Sequence, residues 1–139
     1  MNVSTRGYYA LRALFDLASQ SSDEPVKIAD IAKRQKIPQK FLGLVLSSLK
    51  QGGFVVSRRG ADGGYYLARL PETITVGQVL RFIDGPAQKK KVPQREAPFS
   101  ELWRKVDRNV AEIMERSDLA SIVRDWAEKQ RSRTYDWDI

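Results

Sequence analysis

The hydrophobic period changes at Gly52 and Gly53, and this change restricts the possible folds more than any other feature of the sequence. Before the two glycines, apolar residues recur every three or four positions, as on amphipathic helices. After them, segment 54–59 (FVVSRR) alternates and is rich in β-branched residues, which is typical of a strand. Turn residues at 60–64, including an Asp-Gly pair, and the returning segment 65–68 predict a hairpin. The predicted order is therefore three helices followed by a hairpin.

The three helices have recognisable ends. The first is expected to begin near Ser4 or Thr5, whose hydroxyls can cap exposed backbone N–H groups, and to stop before the loop of residues 19–25. The second covers about 28–35, and after a tight break the third begins around Pro38 and ends at the two glycines. The residues predicted to face inward are Tyr8, Leu11, Leu14, Phe15 and Ala18 in the first helix, Ile28, Ala29, Ile31 and Ala32 in the second, and Phe41, Leu42, Val45, Leu46 and Leu49 in the third.

The C-terminal half is predicted to add a short helix at 76–83, a long connection and two further helices. The connection 87–98 (AQKKKVPQREAP) has two prolines and no apolar period, which favours a mobile loop. Together these patterns divide the chain into a first domain at 1–86, a loop at 87–98 and a helical segment at 99–139. The long helix, from 99 to about 116, carries an apolar face made of Phe99, Leu102, Trp103, Val106, Val110 and Ile113. The last helix, capped by Ser117 or Asp118, carries Leu119, Ile122, Val123 and Trp126 on one face.

Positive charge is concentrated in one part of the chain. The sequence has 24 Lys and Arg against 17 Asp and Glu, a net charge of +7. Segment 27–59 alone holds eight cations and one anion, so it accounts for the whole net charge. Polyanions are therefore the expected class of partner.

The chain contains no Cys and no His. Their absence excludes disulfides, thiolate or imidazole metal sites, haem ligation and catalysis by a Cys or His nucleophile or base. Apolar runs are short, and Arg12 and Asp16 interrupt the N-terminal one, so neither a membrane span nor a signal peptide is predicted. We expect a soluble, cytoplasmic protein with no membrane partner.

Two short helices joined by a tight turn, followed by a glycine-tipped hairpin, indicate a winged helix-turn-helix. Gln39 and Lys40 begin the third helix, and both side chains suit base edges in the major groove of double-stranded DNA. The hairpin carries Arg58 and Arg59 beside Gly60, a combination suited to the minor groove or a phosphate. The fold class predicted is thus mainly α with a small β-hairpin wing and long C-terminal helices.

Four segments carry a resemblance to a known family: 4–18 (STRGYYALRALFDLA), 28–55 (IADIAKRQKIPQKFLGLVLSSLKQGGFV), 57–69 (SRRGADGGYYLAR) and 74–85 (ITVGQVLRFIDG). They are similar to the Rrf2 family of bacterial transcription regulators, and 102–106 (LWRKV) resembles the start of that family's dimerisation helix. The resemblance implies a homodimer that binds a pseudo-palindromic operator, usually as a repressor. It also implies that the apolar face of the long helix, from Phe99 to Ile113, forms the dimer interface, and that a protein corepressor is plausible.

Three departures from the family pattern matter. Cluster-binding members carry three cysteines in the loop before the long helix, and segment 87–98 has none. Glu96 or Glu101 could in principle ligate iron, but without thiolates we expect no cluster, no metal and no other cofactor. Lys36 stands where Gly is commoner, at a cost of about 1 kcal/mol in a left-handed conformation. Gly43 stands where a larger polar residue often helps to select bases, so the base preference stays open.

Several residues keep two interpretations. Arg6 either contacts a phosphate or is ordinary surface, and Phe41 either packs in the core, which we favour, or contacts the DNA backbone. The lysines at 89–91 either form a solvated loop or add non-specific attraction to phosphates.

The sequence also bears on function classes other than a DNA-binding regulator. A nucleotide-binding enzyme is disfavoured, because neither glycine-rich phosphate-loop pattern is present and no convergent carboxylate pair is evident. An RNA-binding protein stays open. So does a regulatory module that binds DNA only together with a protein or small-molecule corepressor.

Overall fold

Helices and hairpin follow one another in the predicted order. The computed structural model describes residues 3–20, 23–86 and 93–137. Two short 3-10 helices, Pro71–Thr73 and Gln94–Phe99, precede α4 and α5. The principal elements are α1 (Thr5–Ser19), α2 (Ile28–Gln35), α3 (Gln39–Gln51), β1 (Val55–Arg58), β2 (Gly64–Leu67), α4 (Val76–Asp84), α5 (Ser100–Arg116) and α6 (Leu119–Trp137). The prediction of a mainly helical fold with a small hairpin is confirmed.

The core lies between α1, α2 and α3. Leu14, Ile31, Leu42, Leu46 and Leu49 are each fully buried, which confirms the central inward positions predicted for the three helices. The inward position predicted for Ala29, at the start of α2, is wrong, because this residue is exposed. The prediction that Phe41 packs in this core is wrong, since its side chain is 57% exposed.

The inward face of α1 was predicted only in part. Tyr8 is 58% exposed, whereas Ala10, Ala13 and Leu17 are buried. The reason is close packing: α1 approaches α4 through Gly7, where an added Cβ would lie 3.0 Å from Leu80 Cδ2. Small residues permit that approach, and of the predicted inward residues of α1 it is Tyr8 that stays at the surface.

A buried carboxylate joins α1 to α2. Asp16 is 2% exposed and accepts hydrogen bonds from Arg34 Nε at 2.9 Å, Arg34 Nη2 at 2.8 Å and Gln35 Nε2 at 3.0 Å. In the sequence, Asp16 only interrupts an apolar stretch. In the structure it fixes the end of α2 against α1.

The hairpin is antiparallel, and β1 pairs with β2 from Val55 opposite Leu67 to Arg58 opposite Gly64. Residue Val26, ahead of α2, pairs with the other edge of β2 through two hydrogen bonds with Tyr65, each 2.9 Å long. This extra pairing was not predicted. Because Tyr65 also packs against the core, the base of the hairpin is held at a fixed position beside α2.

The C-terminal helices are joined to the same core. Thr75 and Gln78 form the capping box that begins α4, and Leu119 at the start of α6 is buried in the core cluster. The 3-10 helix Gln94–Phe99 occupies part of the predicted loop 87–98, while 87–92, including the three lysines at 89–91, lies outside the described residues. The domain boundaries at 86 and 99 stay predictions. Within the described ranges, no helix combines the length and the apolar character needed to cross a membrane.

Candidate nucleic-acid interface

The turn between α2 and α3 sets the direction of α3. Lys36 ends α2 with φ 54° and ψ 47°, the left-handed conformation predicted for it. The backbone N–H of Ile37 donates to the carbonyl of Ala32 at 3.0 Å, and the buried Ile37 side chain anchors the turn. With the apolar side of α3 packed inward, Gln39 and Lys40 at its first turn are both exposed. These two predicted reading residues are therefore available to a ligand.

The wing presents two arginines at its tip. Arg58 ends β1, and Arg59 and Gly60 follow in the turn, all three exposed. Gly60 has φ +112°, a conformation that residues other than glycine rarely adopt, and its carbonyl accepts from the Gly63 N–H at 3.0 Å. This turn closes the hairpin and leaves both arginine side chains at the surface.

A groove connects the wing to the helix-turn-helix. Its volume is about 520 Å³, and it runs between the start of α2 and the hairpin tip. It is lined in part by Lys27, Ile28, Arg58, Arg59 and Gly60. A methyl group placed on Gly43 of α3 would lie 3.7 Å from Cδ1 of the same Ile28. The middle of α3, the start of α2 and the wing therefore form one continuous surface.

The exposed charges of segment 27–59, which contributes most of this surface, are positive except for Asp30. Of the eight cations in 27–59, Arg34 is bound to Asp16, and these hydrogen bonds raise the pKa of Arg34 above its ordinary value. The remaining seven, Lys27, Lys33, Lys36, Lys40, Lys50, Arg58 and Arg59, are all exposed. Cations at this density suit a phosphate backbone, where they would displace condensed counterions.

Arg6 lies away from the other predicted contacts, whereas Phe41 is in the first turn of α3. Arg6 is exposed, and its Nη2 lies 3.5 Å from Ser48 Oγ, nine residues or about 14 Å along α3 from Gln39. Phe41 is exposed beside Lys40 in the sequence. A role for either residue stays a prediction.

One residue on the exposed side of α3 was missed. Leu44 is 66% exposed, although Leu42 and Leu46 on either side of it are fully buried. Helical spacing places Leu44 on the same side as Lys40 and Ser47. This spacing could have identified it in the sequence, where Leu44 is assigned neither to the inward face nor to a DNA contact.

The apolar face predicted on α5 is exposed. Phe99, at the start of the helix, and Leu102, Trp103, Val106 and Ile113 are between 43% and 64% exposed, and Val110 is half-buried. A contiguous apolar surface of this kind marks an interaction site in a folded protein.

Comparison with known proteins gives the family. The sequence model of the Rrf2 family, described as an iron-dependent transcriptional regulator, matches residues 3–125. The chain belongs to the Rrf2 family. It is 32% identical over 123 residues to the transcriptional regulator CymR of Bacillus subtilis, covering 88% of this chain and 89% of CymR.

Solved Rrf2-family structures have the same fold. That of B. subtilis CymR, called the global cysteine regulator of that organism, superposes with a TM-score of 0.80 at 30% identity, over 88% of this chain and 96% of CymR. IscR of T. potens gives a TM-score of 0.78 at 35% identity, over 94% of this chain and 91% of IscR. The protein is therefore a winged-helix, DNA-binding transcriptional regulator and not an enzyme, as its sequence predicted.

Iron, which the family description names, does not fit the donors of this chain. The 139 residues contain neither Cys nor His, so the usual cluster ligands are absent. Among the described residues, no three acidic side chains come together in a way that could hold a metal ion. Segment 87–92 (AQKKKV) adds no carboxylate, thiol or imidazole. Glu96 and Glu101 lie outside any such group, and no step of the function is assigned to iron.

Proposed function

We propose that the protein binds a pseudo-palindromic DNA operator as a homodimer and represses transcription there without an iron–sulfur cluster. The observation that carries this proposal is the continuous basic surface formed by α3, the start of α2 and the wing. In the proposed complex, Gln39 and Lys40 contact base edges in the major groove. Arg58, Arg59 and Gly60 approach the minor groove, and Arg6 and Phe41 contact the flanking backbone. Such a regulator acts in the cytoplasm, where the bacterial chromosome is.

The exposed α5 face supports the dimer. Its apolar side chains are exposed to solvent in the single chain. Burial of apolar surface is favourable by a free energy of about 25 cal/mol for each Å² removed from water. A second copy of the same face would bury them around a two-fold axis. Two recognition helices would then lie about 34 Å apart, or a multiple of that distance, along the operator.

The signal cannot act through thiol oxidation or histidine protonation, because the chain has neither side chain. The proposal therefore leaves a small ligand, a protein corepressor or the abundance of the regulator itself as the means of control.

A selection from random-sequence duplex DNA at about 150 mM salt tests operator binding, because non-specific contacts weaken as salt rises. We expect one inverted repeat to be enriched by the purified protein. The paired variant Arg58→Ala, Arg59→Ala should lose that enrichment, and Lys129→Ala on α6 should keep it. Enrichment without an inverted repeat would contradict the dimer, and no enrichment by the free protein would favour the alternative in which DNA is bound only together with a corepressor.

A further inference from the structure

The middle of α3 has no side chain that can hydrogen-bond to a base. Between Lys40 and Ser47 the sequence is Phe-Leu-Gly-Leu-Val-Leu. None of these side chains carries a donor or an acceptor. Any hydrogen-bond readout by this helix is therefore confined to its ends, and its centre can recognise only apolar features.

Two apolar residues of this stretch face outward: Phe41, which the proposed function places against the flanking DNA backbone, and Leu44 at the centre. The Leu44 side chain is 66% exposed, while Leu42, Val45 and Leu46 are buried in the core. Leu44 follows Lys40 by four residues and precedes Ser47 by three, and both of these are exposed. Residues at such spacings lie on one face of a helix. A groove that receives Lys40 must therefore also receive Leu44.

Resting on the proposed operator binding, we propose that Leu44 determines sequence specificity by packing against the C5-methyl group of thymine in each half-site. In the major groove, this methyl group is the apolar feature that distinguishes one base from the others. Against the polar edge of any other base, Leu44 would displace water without replacing its hydrogen bonds, which is unfavourable. Gly43, next to it, adds no side chain that could offer a polar alternative.

Deoxyuridine provides the test, because it differs from thymidine by that methyl group alone and keeps the same base pairing. Each thymine of the selected operator is replaced in turn by deoxyuridine, and binding is measured by fluorescence anisotropy. At one thymine per half-site we expect affinity to fall about fourfold, the value for burying one methyl-sized group. Replacement in both half-sites should reduce it about fifteenfold, since the two contacts are independent.

The variant Leu44→Ala identifies the residue responsible. It should bind the thymine operator as weakly as the parent protein binds the deoxyuridine operator, and it should not distinguish the two DNAs. Because Leu44 is exposed and Ala is a good helix former, thermal unfolding should be nearly unchanged. Leu70, 64% exposed and outside α3, supplies the control variant Leu70→Ala, which should keep the full preference for thymine.

Two results would overturn the inference, and they differ. If an operator is selected but no deoxyuridine replacement weakens binding, or Leu44→Ala still prefers thymine, the assignment to Leu44 is wrong and operator binding stands. If no operator is enriched at all, the proposed function fails and this inference fails with it.

Discussion

At the scale of single residues, the DNA contact proposed for Arg59 gives the most direct test of the wing. Its side chain is exposed next to Gly60, and it lines the groove shared with α2. We expect Arg59→Ala to weaken operator binding several-fold, because a charge-assisted contact to DNA is lost while no packing changes. Titration of a labelled operator measures the affinity. Sedimentation and thermal unfolding are the controls, and neither the oligomeric state nor the melting temperature should change. Equal affinity in variant and parent would show that the wing does not contact DNA.

The pair formed by Asp16 and Arg34 gives a second prediction, and its two members should respond differently. Asp16 is 2% exposed, whereas the Arg34 side chain is 42% exposed. Removing the arginine leaves a buried carboxylate with only Gln35 as donor, but neutralising the carboxylate leaves an arginine that water can solvate. Urea unfolding should therefore show a loss of about 1–3 kcal/mol for Arg34→Ala and a smaller loss for Asp16→Asn. The reverse order would contradict the expectation that an unpaired buried carboxylate is the costlier state.

At the scale of elements, α3 contains a glycine that its own fold does not require. A methyl group on Gly43 would meet Ile28 at an ordinary contact distance of 3.7 Å. We therefore expect Gly43→Ala to stabilise the protein by about 0.5–1 kcal/mol, since glycine loses more backbone entropy than alanine in a helix. By contrast, a methyl group on Gly64 would overlap the backbone of Val26, so Gly64→Ala should destabilise. Thermal or urea unfolding compares the two, and destabilisation by both would indicate a tighter contact of α3 with α2.

We expect the stability contributed by the start of α6 to depend on pH. Asp118 accepts hydrogen bonds from the backbone N–H and the hydroxyl of Ser121, each at 2.8 Å, and these bonds lower its pKa below the ordinary 3.8. Because the folded-state pKa lies below the unfolded one, this carboxylate stabilises the fold above about pH 4 and loses that effect as pH falls through the lowered value. Melting curves from pH 6 to pH 2.5 should show Asp118→Ala less stable than the parent at pH 6, with the gap closing toward pH 2.5. A gap that does not change with pH would exclude the charge as its cause.

The helices and strands were largely predictable from the sequence, but the residues of α1 that face the core were not. Capping by Ser4, the left-handed Lys36 and the hairpin all follow from local chemistry that a short segment contains in full. Whether Tyr8 or Ala10 faces inward depends instead on how closely α4 approaches, which no segment of α1 encodes. The same holds for Asp16, a charge turned inward, because its hydrogen-bond partners Arg34 and Gln35 belong to another helix.

At the scale of the whole molecule, the proposed recognition of an operator requires that two copies present α3 and the wing together. One wing and one recognition helix cover a single half-site, and the exposed α5 face is proposed to join two such units. Binding of a full operator should therefore be steeper in protein concentration, and tighter, than binding of one isolated half-site. In the proposed dimer, the coupling between half-sites would depend on the apolar residues of α5 and not on any residue proposed to contact DNA.

Two charged substitutions on the apolar face of α5 should abolish dimerisation while leaving the monomer folded. Val106→Lys with Val110→Lys would bury two ammonium groups in the proposed interface, a cost that the apolar contacts cannot offset. Since Val106 is exposed and Val110 half-buried in the single chain, the monomer should keep its fold. Sedimentation should then report monomers, and affinity should fall to that of a half-site. Ala111→Lys, exposed but outside the apolar face, should leave the dimer intact, and a dimer that survives the double variant would place the interface elsewhere.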